Sequence, residues 1–450
     1  MSTAGDLASF VTRTSVNDLP PLALERARMV IASTIASAAM GVDIVSSRIT
    51  RELARERGGS EEATVWFAGG GALPAADAAR VNAVMSDAAA SDDSDLRSIA
   101  HIGTIVSTTA IAIAERTGAS GRDVLAAMVL GYEIAGRIDE ALTPGRGERG
   151  FHGSISTIFG GAVAAGTLLE LTSAQMTQAI ALAATSIGGL HVAANTSVAR
   201  EYHAGLSAML GIHAALAAHK GFVAEEHVLE MPRGFFSAYS GDHLQDVTKD
   251  LGTSWDITTD MAIKLVPGGH PHHAAAEAAA NAATAGNVDP ADVVSIVLSS
   301  AKYRTLPGPK HPTDLIGVAH SPAYFIAAAI ADRGYGWVHA SPEKVADPVI
   351  ARLIDKITVD PSPPPYPDRF PHHHGATVTI TLTDGRRFSD HVDFPRGSAP
   401  RGIDWADVDA KYRRLVPLAG LAPEKLEASL EVVHGFDTIK AVSELTRLLR

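Results

Sequence analysis

Apolar residues recur at helical spacing through the first half of the chain, and the breaks between runs carry helix-end signals. Leu19-Pro20-Pro21 opens one helix, since proline is tolerated in a first turn, and the pattern continues to about Met40-Gly41. Val106 to Arg116 forms another, stopped by Gly118. Ser120-Gly121-Arg122-Asp123 has the spacing of a capping box, and Thr172-Ser173-Ala174-Gln175 repeats it. Leu206 to Lys220 is a further helix, closed by Gly221. After about residue 262 the period changes. Asp292 to Leu298 predicts a strand, and Ala376 to Leu382 alternates apolar residues with threonine. Asp384-Gly385 then turns the chain into a returning strand, Arg387 to Val392. Pro361 to Pro367 is a proline-rich loop, and helices resume at Trp405 and Pro423. The predicted fold is mainly α with an inserted α+β domain. Residues 1–262 and 405–450 build a discontinuous helical domain, and 263–404 form a smaller α+β lid.

Composition narrows the function classes. Hydrophobic residues make up 46% and aromatics only 5%, which favours close-packed helices with small contact residues. A net charge of −12 argues against nucleic acid as a partner, though a local basic pocket can still take an anion. The absence of cysteine excludes disulfides, Cys-ligated zinc and Cys-ligated iron–sulfur clusters. The N-terminus, Met1 to Asp6, lacks the basic region and apolar run of a signal peptide. Leu171 to Ala199, free of charged residues, carries Ser173, Gln175, His191 and Asn195 and reads as a buried helical segment rather than a membrane span. A cytoplasmic protein without membrane partners is expected.

No Walker A, no G-x-G-x-x-G after a strand, no G-x-S-x-G and no H-E-x-x-H occurs. Chemistry by ordinary side chains is therefore expected, with no cofactor and no resident metal. Four segments could carry it. Ser91-Asp92-Asp93-Ser94-Asp95 precedes His101, and crowded carboxylates push one another's pKa values apart; alone, it reads equally as a solvated, helix-capping loop. Gly150-Phe151-His152-Gly153 opens a Gly/Ala-rich helix, and helix N-termini attract carboxylates. Arg200-Glu201-Tyr202-His203 reads in isolation as a surface turn, but an arginine can hold a carboxylate with two parallel hydrogen bonds. Lys264 to His273 lies where the two predicted domains meet, and its three histidines raise a minority metal reading. His372-His373-His374 reads as a solvated cluster.

In order and spacing, these segments resemble the MmgE/PrpD family. Asn82 and Asp92-Asp93-Ser94 resemble its N-G…D-x-D-D-T segment, and His101-Ile102-Gly103 its H-P-G. Gly150-Phe151-His152 resembles G-[FW]-H, and Arg200 to Gly205 resembles K-P-x-H-x-G. Lys264…Pro267…His273 resembles K-x-x-P…T-H, and His320-Ser321-Pro322-Ala323-Tyr324 resembles H-S-x-x-Y. Phe394 to Gly397 with Lys411 resembles the late P-[KR]-G…K-[FY] signature. The resemblance implies a helical domain from both chain ends, an α+β lid, an active site between them and a homodimer. The first aspartate of D-x-D-D-T falls on Ala90, so Asp93 and Asp95 compete for its carboxylate role. The family lysine of K-P-x-H-x-G falls on Arg200, which binds carboxylate but does not act as a base.

The expected function is that of a lyase, dehydratase or decarboxylase, working by acid/base chemistry at the carbon alpha to a carboxylate of a small di- or tricarboxylic acid. An epimerase of a dicarboxylate and a non-catalytic carboxylate-binding protein are the alternatives. Asp93, His101, His152, Lys264 and Tyr324 are the catalytic candidates, and Ser94, Arg200, His203 and His270 the substrate-binding ones. His101 and His152 suit general acid and base, Lys264 and Arg200 carboxylate and enolate charge, and Tyr324 a leaving group. Asp93 would orient a histidine or serve as the base.

Overall fold

The structure, a computed structural model, describes every residue except Met1, Ala68, Gly70, Ile187 and Ser240; Met1, where the N-terminal reading begins, lies outside the described residues. It is mainly α and divides into two compact units. The first comprises Met1–Ala194, Val198–Ile263 and Ile403–Arg450, and the second Asn195–Ser197 and Lys264–Gly402.

Six helices organise the first unit: α1 (Pro21–Gly41), α2 (Ala75–Ala88), α3 (Ile102–Thr117), α4 (Gly121–Leu142), α5 (Ser154–Leu168) and α6 (Ala199–His219). Helix α5 packs against α3, α4 and α6, and α2 packs against α1, α3 and α6. Residues Ile102 to Ala114 of α3 are all buried, Thr104, Ser107, Thr108 and Thr109 among them, so this helix is enclosed on every side rather than half-exposed. Small residues set the spacing. A Cβ on Gly131 of α4 would stand 2.6 Å from the Gly160 carbonyl of α5, so the two backbones meet at a distance only glycine permits. The capping boxes at Ser120–Asp123 and Thr172–Gln175 form as predicted, and Gly118 ends α3 in the left-handed region at φ 76°. Helix α6 starts at Ala199, before the predicted Leu206, because Arg200 and Glu201 are anchored inside the unit. The helix Trp405–Leu415 packs on α1, and its Lys411 Nζ donates to Ser33 Oγ at 2.8 Å and to the Ser91 carbonyl at 2.5 Å.

Strands β1 (Asp93–Asp95) and β2 (Met261–Ile263) pair antiparallel, with Asp93 opposite Ile263. The solvated-loop reading of Ser91 to Asp95 is thereby corrected: all five residues are buried. The segment from Leu171 to Ala199 is corrected too. Its described residues form two helices, Ser173–Ala183 and His191–Thr196, and Leu190 and Val192 are exposed. Among the described residues no single helix is long and apolar enough to cross a membrane.

The second unit carries a four-stranded sheet of β3 (Val293–Ser299), β4 (Ile357–Val359), β5 (Ala376–Leu382) and β6 (Arg387–Val392), in the order β4-β3-β5-β6. The β3–β4 pair is parallel, and the β3–β5 and β5–β6 pairs are antiparallel. The strict alternation along β5 buries Ala376, Val378, Ile380 and Leu382, against which helix α7 (His273–Ala285) packs; α8 (Pro322–Asp332) packs in turn on α7.

Candidate functional site

The site grows from the turn that follows α2. Ala90 adopts a left-handed φ of 51°, and its N–H closes on the Asp87 carbonyl at 2.9 Å. The chain then enters β1, leaves it through a tight loop with Ile99 at φ 60°, and returns to His101 at the head of α3. A β-branched residue in that region is strained, and hydrogen bonds from Ile99 N to Asp95 O and from Asp95 N to Ala100 O, both 2.8 Å, hold it there. The return lays His101 back over the start of β1.

Two aspartates divide the work. Asp92 Oδ2 stands 2.8 Å from Nδ1 of His101, and the Asp93 carbonyl oxygen stands 2.9 Å from the same nitrogen. Both neighbours are acceptors, so Nδ1 carries the hydrogen and the lone pair of the neutral ring is on Nε2. The Asp93 carboxylate faces the other way. It accepts from Gly103 N at 2.8 Å and Thr104 N at 2.9 Å, satisfying two orphan donors of the first turn of α3. Burial and the charge of Asp92 push the Asp93 carboxyl up to about 6, against the pull of His101 and the two N–H groups. Asp93 thus orients His101 through its backbone and anchors α3 through its side chain, while Asp92 is the carboxylate bonded to the imidazole. Asp95 belongs to a separate buried group. Its Oδ1 accepts from Arg97 N at 2.9 Å, and the Arg97 guanidinium pairs with Glu140, Asp256 and Asp260.

Arg200 is not on a surface turn. Its Nε donates to Asp87 Oδ2 at 2.9 Å and its Nη2 to the Asp87 carbonyl at 2.5 Å. Burial alone would lower the guanidinium pKa; the charges of Asp87, Glu201 and Asp92 outweigh it and hold the group above its usual value. Asp87 escaped the sequence reading. Its one signal is an acid in the last turn of α2, where the helix dipole disfavours negative charge.

His152 precedes α5. Burial pushes its pKa well below the ordinary histidine value, helped by the charges of His101, Arg146, His203 and His191. Its Nδ1 accepts from Ser154 N at 3.3 Å, so the neutral ring carries its hydrogen on Nε2. The His203 ring lies 5.4 Å from the His152 ring, and burial lowers its pKa as well. Asp87, His101, His152, Ser154 and Arg200 line a common cavity of about 10 Å³, room for one water-sized group. Ser94 is fully buried in β1 opposite Ala262, and its Oγ has no hydrogen-bond partner among the described residues. The first unit therefore brings His101, His152, Arg200 and their aspartates together.

This arrangement sits on a chain whose two halves match known domains: the MmgE/PrpD N-terminal domain over residues 5–247 and the MmgE/PrpD C-terminal domain over 267–434. The chain belongs to the MmgE/PrpD family. It is 24% identical to cis-aconitate decarboxylase of Homo sapiens, across 98% of this chain and 93% of that protein. It is 26% identical to cis-aconitate decarboxylase-like protein oryM of Aspergillus oryzae, across 99% and 96%, and 25% identical to cis-aconitate decarboxylase of Aspergillus terreus, across 99% and 95%.

The remaining candidates Lys264, His270 and Tyr324 lie in the second unit. Lys264 directly follows β2 and is buried. His270 begins a 3-10 turn that ends at His272, and its ring lies 4.6 Å from that of His273 in the first turn of α7. Tyr324 is buried in α8 and donates its phenolic proton to the His339 carbonyl at 2.8 Å; burial raises its pKa. The proton assigned to a leaving group is thus held inside the unit. The His372 to His374 cluster is half-buried rather than solvated, with His374 Nε2 3.0 Å from Asp368.

Proposed function

We propose that this protein is a lyase that moves a proton at the carbon alpha to a carboxylate of a small di- or tricarboxylic acid, without a cofactor. The observation that carries the reading is the opposite polarity of two histidines on one cavity. His101 has its Nε2 lone pair set by acceptors at Nδ1, and His152 has its Nε2 hydrogen set by a donor at Nδ1. The first suits a base and the second a hydrogen-bond donor. His101 would take the alpha proton, and Asp92 would stabilise the imidazolium that forms. His152, neutral because it is buried, would donate to the developing enolate or to the leaving group. Arg200 would add positive charge to a site otherwise rich in aspartate. The names of the relatives favour a decarboxylase, in which carbon dioxide leaves its electron pair on the carbon skeleton and a histidine of this pair would supply the proton that replaces it; in dehydration His101 would take the alpha proton and His152 would donate to the departing hydroxyl. The reading takes the protein as a cytoplasmic homodimer.

The test is exchange of the alpha proton for deuterium in heavy water, followed by NMR with cis-aconitate, citrate, malate and aspartate as probes. Exchange with at least one acid, accompanied by loss of carbon dioxide or water, supports the lyase. Exchange with inversion and no bond cleavage makes it an epimerase. Binding without exchange of any probe leaves only a carboxylate-binding protein.

A further inference from the structure

We propose that Ser154 is a specificity-determining residue whose hydroxyl binds a hydroxyl group of the substrate, so that the preferred ligand of this site is a hydroxylated polycarboxylic acid. The proposal rests on the acid/base reading above for the identity of the site. Ser154 lines the cavity with Asp87, His101, His152 and Arg200 and is only 3% exposed. Its Oγ has no hydrogen-bond partner among the described residues. Buried polar atoms are nearly always paired, so a hydroxyl left open on a cavity wall marks a place for a polar group from outside the chain.

No local duty occupies this hydroxyl. Ser154 is the first residue of α5, yet the helix start carries no side-chain cap. Thr157, the other hydroxyl residue on the same wall, is engaged, since its Oγ1 donates to Ser207 Oγ at 3.1 Å. Gly189 closes one side of Ser154. A Cβ there would stand 2.5 Å from Ser154 Oγ, so the backbone passes too closely for any side chain. The cavity is the side left to a ligand.

Size and charge select a hydroxyl for this place. The cavity of about 10 Å³ admits one water-sized group, which a hydroxyl is and a carboxylate is not. With both imidazoles neutral, the paired Asp87 carboxylate and Arg200 guanidinium on the wall cancel in charge, so a further anion would find no cation of its own. A hydroxyl both donates and accepts. His152 Nε2 carries a hydrogen, His101 Nε2 a lone pair and Ser154 Oγ both, so the wall offers each kind of partner. The relatives compared above are named for cis-aconitate, an acid without a hydroxyl. Ser154 points instead to acids that carry one, such as citrate or malate.

The experiment is calorimetric titration of the full-length protein with two pairs of acids that differ by one hydroxyl: citrate against tricarballylate, and malate against succinate. The expected result is at least about tenfold tighter binding of the hydroxy acid in one or both pairs, the scale of one hydrogen bond made inside a site. Ser154→Ala should erase that preference by weakening the hydroxy acid and leaving its counterpart unchanged. Ser154→Cys, close in size but a poor hydrogen-bonding group, should do the same, and circular dichroism reports the folding of both. Two results would overturn the proposal. One is no preference in the wild type, including failure of all four acids to bind. The other is a preference that survives in a folded variant, which would leave the Ser154 hydroxyl to a water. Alpha-proton exchange separates this test from that of the reaction. Exchange without a hydroxyl preference sinks the Ser154 proposal alone, and a Ser154-dependent preference without exchange sinks the lyase reading alone.

Discussion

Asp92 Oδ2 and His101 Nδ1 are 2.8 Å apart, and the carboxylate has no exposure to solvent. Asp92→Asn can turn its amide N–H toward Nδ1 and drive the ring into the other tautomer. Alpha-proton exchange should fall by roughly 10²–10⁴-fold, the range spanned by general-base catalysis. A folded Asp92→Asn protein that exchanges at the wild-type rate would remove this pair from the chemistry.

The Arg200–Asp87 contact makes a stability prediction that differs for two substitutions. Arg200→Ala leaves a buried carboxylate without its cation, a loss of about 3–5 kcal/mol. Arg200→Lys keeps the charge but not the planar edge that reaches both the carboxylate and the carbonyl of Asp87, and should cost about 1–3 kcal/mol. Urea denaturation measures both. Equal stability of Arg200→Lys and wild type would show that the two-point contact contributes nothing.

Gly103→Ala should destabilise the protein by roughly 1–3 kcal/mol through overpacking. The added carbon would stand 2.5 Å from Asp93 Oδ2 and 2.6 Å from Val30, and neither is the end of a long flexible side chain. Because Asp93 must shift, His101 shifts with it, so exchange should slow as well. A variant that is less stable but fully active would separate the α3 anchor from the site.

Glu201 supplies a pH test. Burial pushes its carboxyl up to about 7, with the charge of Asp87 adding to the shift and that of Arg200 opposing it. A folded-state pKa above the unfolded value means that the native state holds its proton more tightly. The associated stability is fully present below about pH 4.5 and is lost as pH rises through about 7. Relative to Glu201→Gln, the wild type should therefore lose roughly 1–3 kcal/mol between pH 4.5 and 8. Paired urea titrations at the two pH values check the sign. A difference that stays constant would mean that Glu201 does not titrate in this range.

Lys264 separates charge from packing, since it is buried. Lys264→Met keeps most of the side-chain length and removes the charge. Both Lys264→Met and Lys264→Ala should lower turnover by at least about a hundredfold, the scale of one lost charge-stabilising donor. Activity recovered in the methionine variant alone would assign Lys264 to packing.

Much of this was legible in the sequence because local signals agreed with the fold. The capping boxes at Ser120 and Thr172, the stop at Gly118 and the hairpin around Gly385 each rest on a few neighbouring residues, and each formed. The interior of the site was not local. Asp92 and Asp93 are adjacent in sequence and of one type, and only the turn through Ile99 decides which one meets His101 with its side chain. Asp87 gave no spacing signal, because its partner Arg200 is 113 positions away. The start of α6 was placed late because charged residues at Arg200 and Glu201 resemble a surface turn until their buried partners are known.

The reach of Lys411 to the Ser91 carbonyl spans 320 positions. During synthesis, the ribosome must emit all of the second unit's main segment, Lys264–Gly402, before this lysine exists. Until then, the segment carrying Asp92 lacks the buried ammonium that ties it to the helix Trp405–Leu415, and the first unit lacks most of Ile403–Arg450. The order in which the units mature should thus run against the order in which they begin, with the later-starting unit free to fold first. A nascent chain stalled short of Lys411 should be a substrate for chaperones and proteases even though most of its length has been made.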